Sequence, residues 1–188
     1  HTTHVMFVQH LTALLAAASL AAAAQSQPQP QPPGRAAPIA VAQASAPSAA
    51  LPQLEGKTIE GRPFTLASQR GKVVLLMLWS TDCAVCRDKM PELRQNYEGW
   101  AGKPFELVLV SVDRKVQDVF AYEQIISRTV PLKQRFVQLW AGEPGHRDNL
   151  GRPAQLPAAW LIDKSGKVVE RYSGRIPAEA WDRIAELL

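Results

Sequence analysis

Cys83 and Cys86 are the only cysteines among the 188 residues, and two residues separate them. A pair this close closes too small a loop to staple a fold, so the spacing points to reactive sulfur rather than structural sulfur. The chemistry open to it is dithiol–disulfide exchange, in which Cys83 attacks a disulfide and Cys86 resolves the mixed intermediate. That chemistry needs a thiolate, and so a setting that lowers a thiol pKa.

The flanking sequence supplies one. Lys72 to Leu78 is a short, continuous apolar run rich in β-formers, leading to Trp79, and it reads as a strand buried on both faces. After it the period changes. Cys83, Cys86, Met90, Leu93 and Tyr97 step by three and four, which places both cysteines in the first turn of a helix, on one face. Unpaired N–H groups and the positive end of the helix dipole favour a thiolate there. Pro91 removes one helical hydrogen bond and is expected to kink the helix.

The strand ending in Trp79, the Cys-x-x-Cys opening a helix that contains Pro91, and Met90-Pro91-Glu92-Leu93 after the motif resemble the thioredoxin fold. With Leu156-Pro157-Ala158-Ala159-Trp160-Leu161-Ile162-Asp163-Lys164-Ser165-Gly166-Lys167-Val168-Val169 near the end, the resemblance narrows to the periplasmic thiol–disulfide oxidoreductases of the TlpA/ResA group. It covers about Leu51 to Leu188. It implies an α/β, thioredoxin-like fold: a central mixed sheet flanked by helices, with an N-terminal β-hairpin. It also implies exchange with protein disulfide or dithiol substrates, in the reducing direction, as in cytochrome c maturation or the reduction of a metal-site cysteine pair. A membrane-bound donor would supply the electrons, and the Cys83–Cys86 disulfide would be the only redox group, with no cofactor and no metal. In such folds the proline matching Pro157 is cis and faces the dithiol, the backbone of the residue matching Leu156 pairs with substrate, and Trp79 packs beside the site.

Three departures qualify the resemblance. Asp82 and Ala84-Val85 stand where an aromatic residue and often a proline occur. Lys89 stands where the ResA-like group has a glutamate, and Met77 where thioredoxin has a buried aspartate. Asp82 is expected to push the Cys83 thiol upward and is a candidate for moving the resolving proton. Lys89 either favours the Cys86 thiolate or is simply solvated.

The rest of the chain frames this motif. Residues 1–24 read as a signal peptide, from the apolar run Leu11 to Leu20 and the small residues Ala22 to Ala24, with a retained anchor as the alternative. Residues 25–50, rich in Pro, Gln and Ala, read as a disordered linker, and residues 51–188 as one monomeric domain delivered to the periplasm. The formal charge of +4 comes without a basic run interleaved with aromatics, so nucleic acid is not an expected partner.

Within the domain the patterns predict a hairpin around Glu60 to Pro63, a strand over Phe105 to Val112, and Asp113 capping a helix whose apolar face is Val116, Val119, Phe120, Tyr122 and Ile126. Phe136 to Trp140 is a short strand, and Ala158 to Ile162 pairs with Lys167 to Tyr172. Pro177 opens a last helix that turns Trp181, Ile184 and Leu188 to the sheet. Two competing functions remain. A thiol peroxidase would use Thr81 and Arg87 beside the cysteine. A Cu(I) chaperone resembling the Sco group would use both thiolates and a distal His146, a residue that otherwise reads as a solvated loop histidine.

Overall fold

The computed structural model describes residues 50–188, so the expected signal peptide and all but the last residue of the expected linker lie outside the described residues. In chain order the elements are β1 (Leu54–Lys57), β2 (Pro63–Thr65), β3 (Val73–Trp79), α1 (Ala84–Gly99), β4 (Phe105–Ser111), α2 (Val116–Thr129), β5 (Val137–Trp140), β6 (Arg147–Asp148), β7 (Ala158–Ile162), β8 (Val168–Ser173) and α3 (Glu179–Leu187). Among them no helix is long and apolar enough to cross a membrane.

All seven residues of β3 are buried. Strand side chains alternate, so a run that is apolar throughout must serve two cores. Val73, Leu75, Met77 and Trp79 join one core with Cys86, Met90 and Leu93 of α1 and Ala180 and Ile184 of α3. Val74, Leu76 and Leu78 join the other with Leu54, Phe64 and Leu66, which belong to the N-terminal hairpin and the short 3₁₀ turn after it.

The main sheet has the order β5-β4-β3-β7-β8. β3, β4 and β5 run parallel through two helical crossovers, and β7 and β8 close the sheet as antiparallel strands. Right-handed crossovers that step the same way put α1 and α2 on one face. Tyr122 of α2 accordingly meets Trp79 edge-on at 5.0 Å between ring centroids and accepts a hydrogen bond from Arg94 of α1 at 2.8 Å. The expected mixed sheet, hairpin and flanking helices are all present. The helix runs through Pro91 without a break.

Three expectations need correcting. Lys115, not Asp113, is the N-cap of α2, and no side chain caps that helix. Phe120 is 48% exposed; at 100° per residue it falls one step off the inward line of Val119, Tyr122 and Ile126. His146 is buried rather than solvated, because it adjoins β6, which pairs with β1 to make a three-stranded sheet of order β2-β1-β6. Its imidazole lies against Gly56 and bonds Asp148 at 2.7 Å, and Arg152 grips the same carboxylate at 3.1 Å.

These contacts give two predictions. Leu107 is fully buried at the centre of β4, so Leu107→Ala should lower the unfolding free energy by about 3 kcal/mol in urea denaturation. Burial alone would raise the Asp148 carboxyl, but hydrogen bonds from Arg152, His146 and the Leu150 N–H outweigh it and hold Asp148 below the usual aspartate range. A carboxyl lowered by folding stabilises the fold above its unfolded pKa, about 3.9, and loses that contribution as pH falls through the folded value. Urea unfolding at a series of pH values should therefore show stability dropping below about pH 4, and less steeply in Asp148→Asn.

Candidate active site

The site forms where β3 leaves the sheet. Trp79 is the last strand residue, and Ser80, Thr81 and Asp82 carry the chain to Cys83, the N-cap of α1. Helix entry leaves the first N–H groups without helical partners. One of them is used locally: the Cys86 N–H donates to Cys83 Sγ at 3.1 Å. The two sulfurs form a disulfide with their Cα atoms 5.2 Å apart. They differ in access, since Cys86 is 0% exposed while Cys83 is only partly buried.

The turn is tied down from the side. Asp113, just beyond the end of β4, accepts from the Thr81 N–H at 3.1 Å, the Thr81 hydroxyl at 2.7 Å and the buried Ser111 hydroxyl. Arg87 donates to the Thr81 carbonyl at 2.7 Å, and the Trp140 indole N–H donates to the Asp113 carbonyl at 2.8 Å. Arg87 is thus engaged with Thr81, and Thr81 with Asp113. Asp113 is the residue that sequence reasoning misplaced; the register partnership of Trp79 with Ser111 is what brings it beside the motif.

Leu156 and Pro157 arrive from the other neighbour of β3. The peptide bond between them is cis, and the pairing of Leu78 with Ala158 sets Pro157 level with Trp79. The Pro157 carbonyl is taken by the Gly174 N–H at 2.8 Å. Among the described residues, the N–H and C=O of Leu156 bond to no other backbone group. Leu156 borders an open cleft of about 670 Å³ whose walls include Thr81, Asp82, Arg87, Asp113 and Arg114.

The remaining expected residues divide. Trp79 is fully buried beneath the motif, in one core with Cys86. Asp82 is exposed, and its carboxylate turns back to accept from the Ser80 hydroxyl. Lys89 is buried, not solvated, and pairs with Glu92 at 2.8 Å. Met77 is fully buried in the apolar cluster. His146 belongs to the β1–β6 sheet through Asp148 and makes no hydrogen bond to Thr81, Arg87 or Asp113 among the described residues.

Residues 45–173 match the AhpC/TSA family. Curated relatives include a thiol-disulfide oxidoreductase ResA from Bacillus thuringiensis (strain Al Hakam), 31% identical over 129 residues that cover 69% of this chain and 68% of the relative. The protein of the same name from Bacillus anthracis matches to the same extent. Among solved structures, a thiol:disulfide interchange protein of the thioredoxin family from Chlorobium tepidum TLS aligns with a TM-score of 0.58 at 24% identity, over 72% of this chain and 92% of that one. StoA from Bacillus subtilis aligns with a TM-score of 0.53 at 19% identity, over 70% and 96%. The fold is thioredoxin-like.

Since the Asp113 carboxylate serves three donors at once, Asp113→Ala should cost about 2 kcal/mol of stability by leaving the donors of Thr81 and Ser111 unpaired. Hydrogen exchange should show the Thr81 amide losing protection while amides in the middle of β3 keep theirs.

Proposed function

The chain belongs to the AhpC/TSA family and is a thiol–disulfide oxidoreductase, and on that premise we propose that it works outside the cytoplasm as a reductase of protein disulfides. The observation that carries the mechanism is the unequal access of the two sulfurs: Cys83 reaches the surface at the N-cap of α1 and Cys86 is sealed behind it. Only the exposed sulfur can enter the line of attack on a bulky substrate disulfide.

In the reduced protein the Cys83 thiolate, favoured by the helix N-terminus, attacks one sulfur of the substrate disulfide. The substrate S–S bond breaks, its second sulfur leaves as a thiolate, and Cys83 is joined to the first. The Cys86 thiolate then attacks Cys83, which releases the substrate as a dithiol and leaves the Cys83–Cys86 disulfide. The substrate has gained two electrons and the protein has lost two. The N–H and C=O of Leu156, without a backbone partner among the described residues, offer an extended substrate segment a strand-like pair of hydrogen bonds beside the attacking sulfur. Pro157 and Trp79, level with each other on neighbouring strands and both buried, would support that position from beneath. A membrane-bound dithiol donor would return the electrons.

Export is supported by the apolar run Leu11 to Leu20 followed by Ala22 to Ala24 and by the need for an oxidising compartment in which protein disulfides accumulate. Residues 25–50 would then tether a domain spanning 51–188. Fusing residues 1–50 to a reporter that is active only outside the cytoplasm should give activity, and a silent fusion would count against export.

The exchange order has a direct test. Incubated with a disulfide-bonded protein, Cys86→Ser in the full chain should accumulate a mixed disulfide through Cys83, visible as a mass adduct that dithiothreitol removes. Cys83→Ser should accumulate none. Trapping through Cys86 in the Cys83→Ser protein would reverse the assigned roles.

A further inference from the structure

Lys89 is a charged side chain that the exchange steps above do not use. It follows Cys86 by one helical turn, and residues three apart on a helix share a face, with Cβ atoms about 5–6 Å apart. Among the described residues it is the only buried lysine or arginine, its side chain 6% exposed beside a fully buried Cys86. An ammonium is rarely held that far from water unless it is paired. Its partner is Glu92 at 2.8 Å, and the Trp181 indole N–H of α3 donates to the same carboxylate. Burial pushes the Glu92 carboxyl up, but the bonds from Lys89 and Trp181 and the charges of Lys89 and Arg175 outweigh that and hold it below the usual glutamate range. The Glu92 carboxylate is therefore held ionised beside Lys89, and α3 fixes its place.

Other charged groups near Cys86 are otherwise occupied or in water. Asp82 is exposed and bonded to Ser80, and the exposed Arg87 is bonded to the Thr81 carbonyl. Asp88 pairs with Arg175, ahead of α3, at 3.4 Å, both side chains being more than half exposed. β3 presents only the apolar Val73, Leu75, Met77 and Trp79 to the cluster that holds Cys86, and α3 presents Ala180 and Ile184.

We propose that Lys89, fixed by Glu92 and Trp181, is a positioning residue that keeps positive charge beside the Cys86 sulfur and favours its thiolate when the disulfide opens. The inference rests on the reading of Cys83 and Cys86 as the exchanging pair. When a donor dithiol recharges the protein, a donor thiolate attacks Cys83, the Cys83–Cys86 bond breaks, and Cys86 leaves with the electron pair. A second donor thiolate then displaces Cys83, the donor becomes a disulfide, and both protein sulfurs carry the two electrons or take protons from solvent. A cation beside Cys86 improves it as a leaving group. Glu92 opposes that effect, so the two partners act with opposite sign.

The opposite signs give the test. In the full chain carrying Cys83→Ser, the Cys86 thiolate is followed by its ultraviolet absorbance against pH. Lys89→Met should move that titration up by about one pH unit, Glu92→Gln should move it down, and Lys89→Arg should leave it near the parent value. A Lys89 that merely staples α1 to α3 would lower thermal stability in Lys89→Met and Glu92→Gln without opposed shifts. An unmoved Lys89→Met titration, or two shifts of one sign, would overturn the proposal. If Lys89→Met does not fold, the downward shift in Glu92→Gln decides the matter, its presence in favour and its absence against. Failure of the parent chain to exchange disulfides at all would overturn the functional reading instead, because the Cys86 titration does not depend on turnover.

Discussion

The molecule depends on the burial of β3 on both faces. A strand that feeds two cores cannot slip in register without exposing one of them, so its last residue, Trp79, is fixed in space. The peptide units after it are fixed in turn, and one of them is the N-cap of α1. The dithiol therefore sits at a point that hydrophobic packing determines and helix geometry polarises. The neighbours of β3 deliver the other parts of the site to the same level. β4 brings Asp113 through its pairing of Ser111 with Trp79, and β7 brings Leu156 and Pro157 through its pairing of Ala158 with Leu78.

The two sulfurs share one disulfide but not one environment. Cys83 lies at the surface among polar groups that are mostly committed: Thr81 to Asp113, Arg87 to the Thr81 carbonyl, and Asp82 to Ser80. Cys86 lies in an apolar cluster whose adjoining edge carries the ion pair of Lys89 and Glu92. In the proposed mechanism, attack and resolution are divided by access before any difference in acidity is considered. The hydrogen bonds that hold the Cys83 turn make it a rigid feature, with little ordering left to do when a substrate arrives.

Sequence reading succeeded where the signal is local. The apolar run of β3, the three-and-four spacing of Cys83, Cys86, Met90 and Leu93, and the hairpin of β7 and β8 are each written within a few residues. The positions of Leu156 and Pro157 came instead from family resemblance, which carries long-range information that periodicity lacks. What was missed has partners distant in the chain. Asp113 reads as a helix cap because a polar residue before a helix usually is one, yet its partner Thr81 lies 32 residues earlier. His146 reads as solvated because Gly and Pro surround it, and only the pairing of β6 with β1 buries it. For Lys89 the sequence left water and the Cys86 thiolate equally open, and it is a carboxylate one turn on and an indole from α3 that bury it.

The central claim is that Cys83 and Cys86 form a reversible, reducing two-electron couple. Equilibrating the purified chain in dithiothreitol and glutathione buffers of graded ratio, and measuring the fraction of Cys83–Cys86 disulfide at each, tests it directly. The account predicts a single reversible two-electron transition near or below the potential of thioredoxin, about −270 mV. A midpoint near that of DsbA, about −120 mV, would make the protein an oxidant, and the absence of any reversible transition would contradict the exchange mechanism itself.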